Sequence, residues 1–150
     1  MTRVSNDTEF RKALDGLDAV RQRLLAARFV ENVLALSSDE RIARVVGVAG
    51  NSDASADELA EALKTARATT FDCHTRCGSE GDWSEQAGYF VARAATAALT
   101  PLGQMPSGPA WQAALSSRMA QTSKSIVTGD DTAGQEGDQQ YRILSEFLES

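Results

Sequence analysis

Hydrophobic residues recur at steps of three and four along most of this 150-residue chain. That is the period of an α-helix with one face turned to a core. The spacing predicts six helical segments. The first runs from about Thr8 to Leu36, with Phe10, Leu14, Leu17, Val20, Leu24 and Ala27 as its stripe, extended by Phe29, Val30, Val33 and Leu34. Gly16 is the point where this segment kinks or divides, because an interior glycine costs a helix about 1 kcal/mol relative to alanine. Ser37 with Glu40 reads as a capping box for a short helix ending at Ala49, before Gly50-Asn51. Its β-branched residues, Ile42, Val45, Val46 and Val48, lack the strict alternation of a strand.

Ser55 with Glu58 makes a second capping box and opens a helix from about Ala56 to Cys77. Leu59, Leu63, Ala66, Thr70, Cys73 and Cys77 form its stripe. Asp82 with Glu85 makes a third, ahead of an alanine-rich helix from about Trp83 to Leu99. Small side chains there, Gly88 included, let a neighbouring helix approach closely, so this helix is expected at the centre. Pro109 sits where a first-turn proline belongs, with Ser107 or Gly108 as the cap, and Trp111, Leu115, Met119, Thr122 and Ile126 trace the following stripe. Residues 128–138 hold no apolar side chain larger than alanine and read as a flexible acidic loop. A closing helix from about Gln139 to Glu149 packs through Tyr141, Leu144, Phe147 and Leu148. The expectation is a single all-α domain over 1–150, a bundle of five to six helices.

Composition narrows the function classes. Hydrophobic residues make up 42% of the chain, enough for one sizeable core. No apolar run approaches the roughly 18 residues that cross a bilayer, and the N-terminus turns polar at once instead of opening a secretory signal. A cytoplasmic protein with no membrane partner is expected. The formal charge of −6 argues against non-specific nucleic-acid binding, which needs clustered Lys and Arg. An acidic surface keeps a protein dissolved and also steers a basic partner.

The chemistry-bearing residues concentrate in Asp72-Cys73-His74-Thr75-Arg76-Cys77. Cys73, His74 and Cys77 are ligand types for zinc, and two cysteines four apart share one helix face. A closed site would need Asp72, Glu80 or Asp82 as well, because His74 is the single histidine of the sequence. Both cysteines also continue the Leu59–Leu63–Ala66 stripe, where a free cysteine serves as a small buried hydrophobe. Packing is the simpler account. A nucleophilic thiol is disfavoured too, since both lie toward a helix C-terminus, where the dipole opposes a thiolate. No Ser/His/Asp arrangement, phosphate-binding glycine loop or Glu-x-x-His pattern is present. Trp83, Tyr89 and Phe90 would line either a pocket or a core. Neither a catalytic residue nor a cofactor is expected.

From about Arg21 to Pro101 the arrangement resembles a family of small helical bacterial immunity proteins of polymorphic toxin systems. The stretch Leu25-Ala26-Ala27-Arg28-Phe29-Val30-Glu31-Asn32-Val33-Leu34-Ala35-Leu36 is similar to that family's opening helix, and 39–46 to its short second helix. The stretches 66–74 and 89–98 resemble its alanine-rich helices, and 141–148 its closing helix. Asp72 and Cys73 stand where the family tends to have small residues, and 101–103 and 128–138 have no counterpart. The resemblance implies a non-enzymatic protein that masks a partner protein. Asp130, Asp131, Glu136 and Asp138 are the candidate residues for steering a basic partner. The alternative is a small metal- or ligand-binding helical domain, enzymatic or not, centred on Cys73, His74 and Cys77.

Overall fold

A computed structural model of the chain describes residues 4–76, 83–105, 107–129 and 132–149. Over these it is all-helical: α1 (Asp7–Asp15), α2 (Ala19–Glu31), a 3₁₀ turn (Leu34–Leu36), α3 (Glu40–Ala49), α4 (Ala56–Arg76), α5 (Trp83–Leu99), α6 (Pro109–Thr128) and α7 (Thr132–Glu149). Seven α-helices therefore stand among the described residues where five to six were expected. The extra one arises at Gly16, where the long first segment divides. Asp18 restarts the chain as an N-cap, its carboxylate accepting from the Arg21 N–H at 2.8 Å. That restart rotates the register. Phe10, Leu14 and Leu17 remain buried, whereas Val20 stands 48% exposed and Leu25, Ala26 and Ala27 take over the core.

Local signals fare differently from one another. The Ser55–Glu58 capping box forms reciprocally, with Glu58 N–H to Ser55 Oγ at 3.1 Å and Ser55 N–H to Glu58 Oε1 at 3.0 Å. The Ser37–Glu40 box does not form. Asp39 caps α3 instead, accepting from the Arg41 N–H, while Ser37 Oγ accepts from the Asp39 N–H. A carboxylate two residues nearer the helix displaces the serine. Asp82, of the third expected box, lies outside the described residues. An unanticipated cap opens α1, where Asn6 Oδ1 accepts from the Glu9 N–H and the Glu9 carboxylate reaches back to Ser5. Pro109 opens α6 behind Gly108 as expected.

The core forms where small and large faces meet. α5 is central, packed between α4 and α6 and also against α2 and α3. Its Val91, Ala92, Ala94 and Ala95 are fully buried. Phe10, Leu14, Leu25, Phe29 and Ile42 fill the remaining volume without exposure. No described helix is long and apolar enough to cross a membrane.

Two expectations about faces are overturned. In α6 Trp111 packs partly buried against the core as expected, but the later part of the stripe points outward: Met119 and Ile126 are 47% and 53% exposed, and Thr122 is exposed with them. The buried face is instead Ala113, Ala114, Ser116, Ser117, Ala120 and Ser123. Alanine-rich α5 lies so close that only small residues fit between the two axes. In the segment expected to be an acidic loop, the helix of 139–149 extends back to Thr132. Its inward face there is polar, carried by Glu136 and Gln140, and both are fully buried.

Candidate functional site

The expected reactive cluster falls at the end of α4 and does not converge. Cys73 is buried in the core cluster, whereas His74 is exposed on the next helix face with its ring 5.5 Å from that of Tyr89. Adjacent residues in a helix point about 100° apart, which separates the thiol from the imidazole. Asp72 faces α3, where Arg41 Nη1 donates to its Oδ2 at 3.0 Å and Nη2 donates to Asp39 at 2.8 Å. Both acids push Arg41 well above the ordinary guanidinium range, Asp39 the more strongly. Cys77, Glu80 and Asp82 lie outside the described residues. Among the described residues no three His, Cys, Asp or Glu side chains come together as a metal site.

The candidate steering residues also separate. Asp130 and Asp131 lie outside the described residues, and Asp138 is exposed on α7. Glu136 is not a surface group at all. Asn32 Nδ2 stands 3.1 and 3.0 Å from its two carboxylate oxygens, Gln121 Nε2 donates at 3.3 Å and Gln140 Nε2 at 3.4 Å. Burial pushes its pKa up against these hydrogen bonds, which lower it. Glu136 therefore serves the packing of α7 and cannot meet a partner.

Gln140 carries the network onward. Its Oε1 accepts from Arg118 Nε at 2.8 Å, and the Arg118 guanidinium pairs with Asp7 at 2.9 and 3.0 Å. The Tyr141 hydroxyl donates to Asp7 Oδ1 at 2.7 Å. Arg118 also lies over the rings of Phe10, Trp111 and Tyr141. The hydrogen bond from Arg118, joined by that from Tyr141, holds Asp7 below the ordinary carboxylate range. This constellation ties α1, α6 and α7 together, and its groups are committed to one another.

What the surface offers is apolar. Phe71 on α4 is 70% exposed, more than any other large hydrophobic residue described. The residues one turn away on the same helix, Arg67, Ala68, His74 and Thr75, are exposed with it. His74 stacks toward Tyr89, and Tyr89 meets Phe90 edge-on at 5.1 Å. Phe71 itself stands among charges of both signs along α4, with Lys64, Arg67 and Asp72 all exposed. A cleft of about 350 Å³ opens elsewhere, lined by Val20, Leu59, Leu63, Leu99 and Leu102, with Arg23 the one charged residue in its wall. The Arg23 guanidinium donates to the carbonyls of Ala49 and Asn51 at 3.0 and 2.8 Å.

Periodicity could not have singled out Phe71, since it lies off the α4 stripe and reads as an ordinary helix residue. Its one visible mark is a large aromatic side chain at a position the stripe assigns to solvent. Comparison with protein-family models, curated proteins and solved structures finds no match to this chain. The fold and surface define a helical bundle with an exposed phenylalanine, Phe71, on α4.

Proposed function

We propose that the chain is a non-enzymatic binding protein of the immunity type, which masks a partner protein by docking it on the α4 face around Phe71. The observation that carries this reading is the 70% exposure of Phe71 on a helix face otherwise made of short and charged side chains. Aromatic residues with a polar rim are the usual anchors of protein interfaces, where a few of them supply most of the binding energy. The net charge of −6 favours a basic partner through long-range attraction, with exposed acids such as Asp138 contributing. Such attraction raises the association rate, while Phe71 slows dissociation.

Affinity capture from cells, run in parallel with wild type and a Phe71→Asp variant, tests this. The expected result is one protein retained by wild type and lost with the variant. That protein should be harmful when expressed alone and harmless when this chain is co-expressed. A partner held equally by both forms would remove Phe71 from the interface. A partner harmless by itself would remove the immunity role.

A further inference from the structure

The cleft beside Arg23 is bounded by the first turns of α2 and α4 and by the C-terminal end of α5. It owes its depth to small side chains. Ala19, Ala56, Ala60 and Ala98 stand in its wall, where longer side chains would close it. Two of the large hydrophobic residues that the bundle leaves outside, Val20 and Leu102, both about half exposed, lie at this one opening. At about 350 Å³ the cleft falls within the range of small-molecule sites, which are apolar hollows oriented by a few polar groups.

The polar groups of the wall decide what could sit there. Among the lining side chains only Thr100 and Arg23 carry a hydrogen-bonding group, and the Thr100 hydroxyl already donates to the Thr96 carbonyl at 2.8 Å. Arg23 is different. Its Nε and Nη2 hold the carbonyls of Ala49 and Asn51, which fixes the guanidinium in place and leaves Nη1 without an acceptor among the described residues. Neutral carbonyls satisfy donors without cancelling the charge, and among the described residues no Asp or Glu pairs with Arg23. A half-buried cation, fixed in an apolar wall with no counter-ion, selects an anionic head joined to an apolar tail. A carboxylate matches the planar guanidinium and brings one charge to one cation. A phosphate monoester would bring nearly two.

We propose that this cleft binds a single-chain carboxylate amphiphile, its head on Arg23 and its tail against Val20 and Leu102. Decanoate is the probe. Isothermal titration of the full chain, below the micelle concentration, is expected to show one decanoate bound saturably. Shortening the probe to octanoate and hexanoate should weaken binding by up to about fourfold for each methylene removed. The decylammonium cation, equal in length, is expected to bind about tenfold more weakly, although the net charge of −6 attracts it. Non-specific adsorption on an acidic protein would give the opposite order. Ala60→Trp fills the cleft from an exposed position and should abolish binding with unchanged circular dichroism. Arg23→Gln should erase the preference for the carboxylate. Absence of saturable decanoate binding overturns the proposal, as does binding retained by a folded Ala60→Trp variant. Decylammonium bound as tightly as decanoate, or a carboxylate preference that survives in a folded Arg23→Gln variant, overturns the role of Arg23.

Discussion

Asn32 and Glu136 stand 104 positions apart in the sequence, and the amide of one clasps both oxygens of the other's carboxylate at 3.1 and 3.0 Å. The contact joins the C-cap of α2 to the first half of α7, at the buried Glu136. Asn32 Nδ2 also reaches Gln139 Oε1 at 2.7 Å, so one cap residue holds two positions of the incoming helix.

A pH dependence follows from Glu136. Burial raises its native pKa, so the folded chain holds the proton more tightly than the unfolded one. The stability this group contributes is fully present below the unfolded value of about 4.3 and is lost as pH rises through the raised native value. Glu136→Gln has no such titration. Urea unfolding from about pH 4 to about pH 8 should show wild type losing stability relative to the variant as pH rises. A gap between the two that stays constant with pH would contradict this role.

Asp7 titrates with the opposite sign. Its native pKa is lowered, chiefly by the Arg118 hydrogen bond, so its contribution is present above about pH 3.9 and lost as pH falls through the lower native value. The Asp7 carboxylate is about half exposed, which sets the cost of Asp7→Asn near the low end for a charged hydrogen bond, about 1 kcal/mol at neutral pH. Chemical denaturation should find that cost at pH 7 and little of it once wild-type Asp7 is itself protonated. A cost that persists in acid would mean that the carboxylate's charge is not what matters.

The two faces of α6 should respond oppositely to change. Ala113→Leu pushes a larger side chain into the contact with α5 and should destabilise by about 1–3 kcal/mol or more. Met119→Gln on the outer face should stay within about 0.5 kcal/mol. Thermal melts compare them directly, and similar losses at both positions would contradict the orientation of α6.

Gly47 lies exposed inside α3 with nothing within 4 Å of where a Cβ would stand. Gly47→Ala should therefore stabilise the protein by about 0.5–1 kcal/mol through helix propensity and a less flexible unfolded chain. A lower melting temperature would show that the glycine is needed for something the fold does not reveal.

The helices themselves were legible because each segment carries its own signals. The Ser55–Glu58 box, Pro109 behind Gly108 and the alanines of α5 act within a few residues, so reading them requires no knowledge of neighbours. The packing role of Cys73 was legible for the same reason, as one more step in the α4 stripe. The break after Gly16 was visible as a possibility, but the register it sets depends on Asp18 winning the cap.

Which face of a helix is covered is a relation between helices, and the tertiary structure decided it. The α6 stripe beyond Trp111 was read outside-in because periodicity rewards large apolar residues, whereas close packing on α5 rewards alanine and serine. The start of α7 was read as a loop because Glu136 and Gln140 look like solvent-facing residues. Asn32, Gln121 and Arg118 supply their hydrogen bonds from distant parts of the chain, which makes that burial affordable. Thus the sequence by itself determined an all-helical chain and the position of most helices, because hydrogen bonding and capping are local. Only the tertiary structure decided which side chains remain outside, Phe71, Met119 and Ile126 among them. Exposure is set by what the rest of the chain fails to cover.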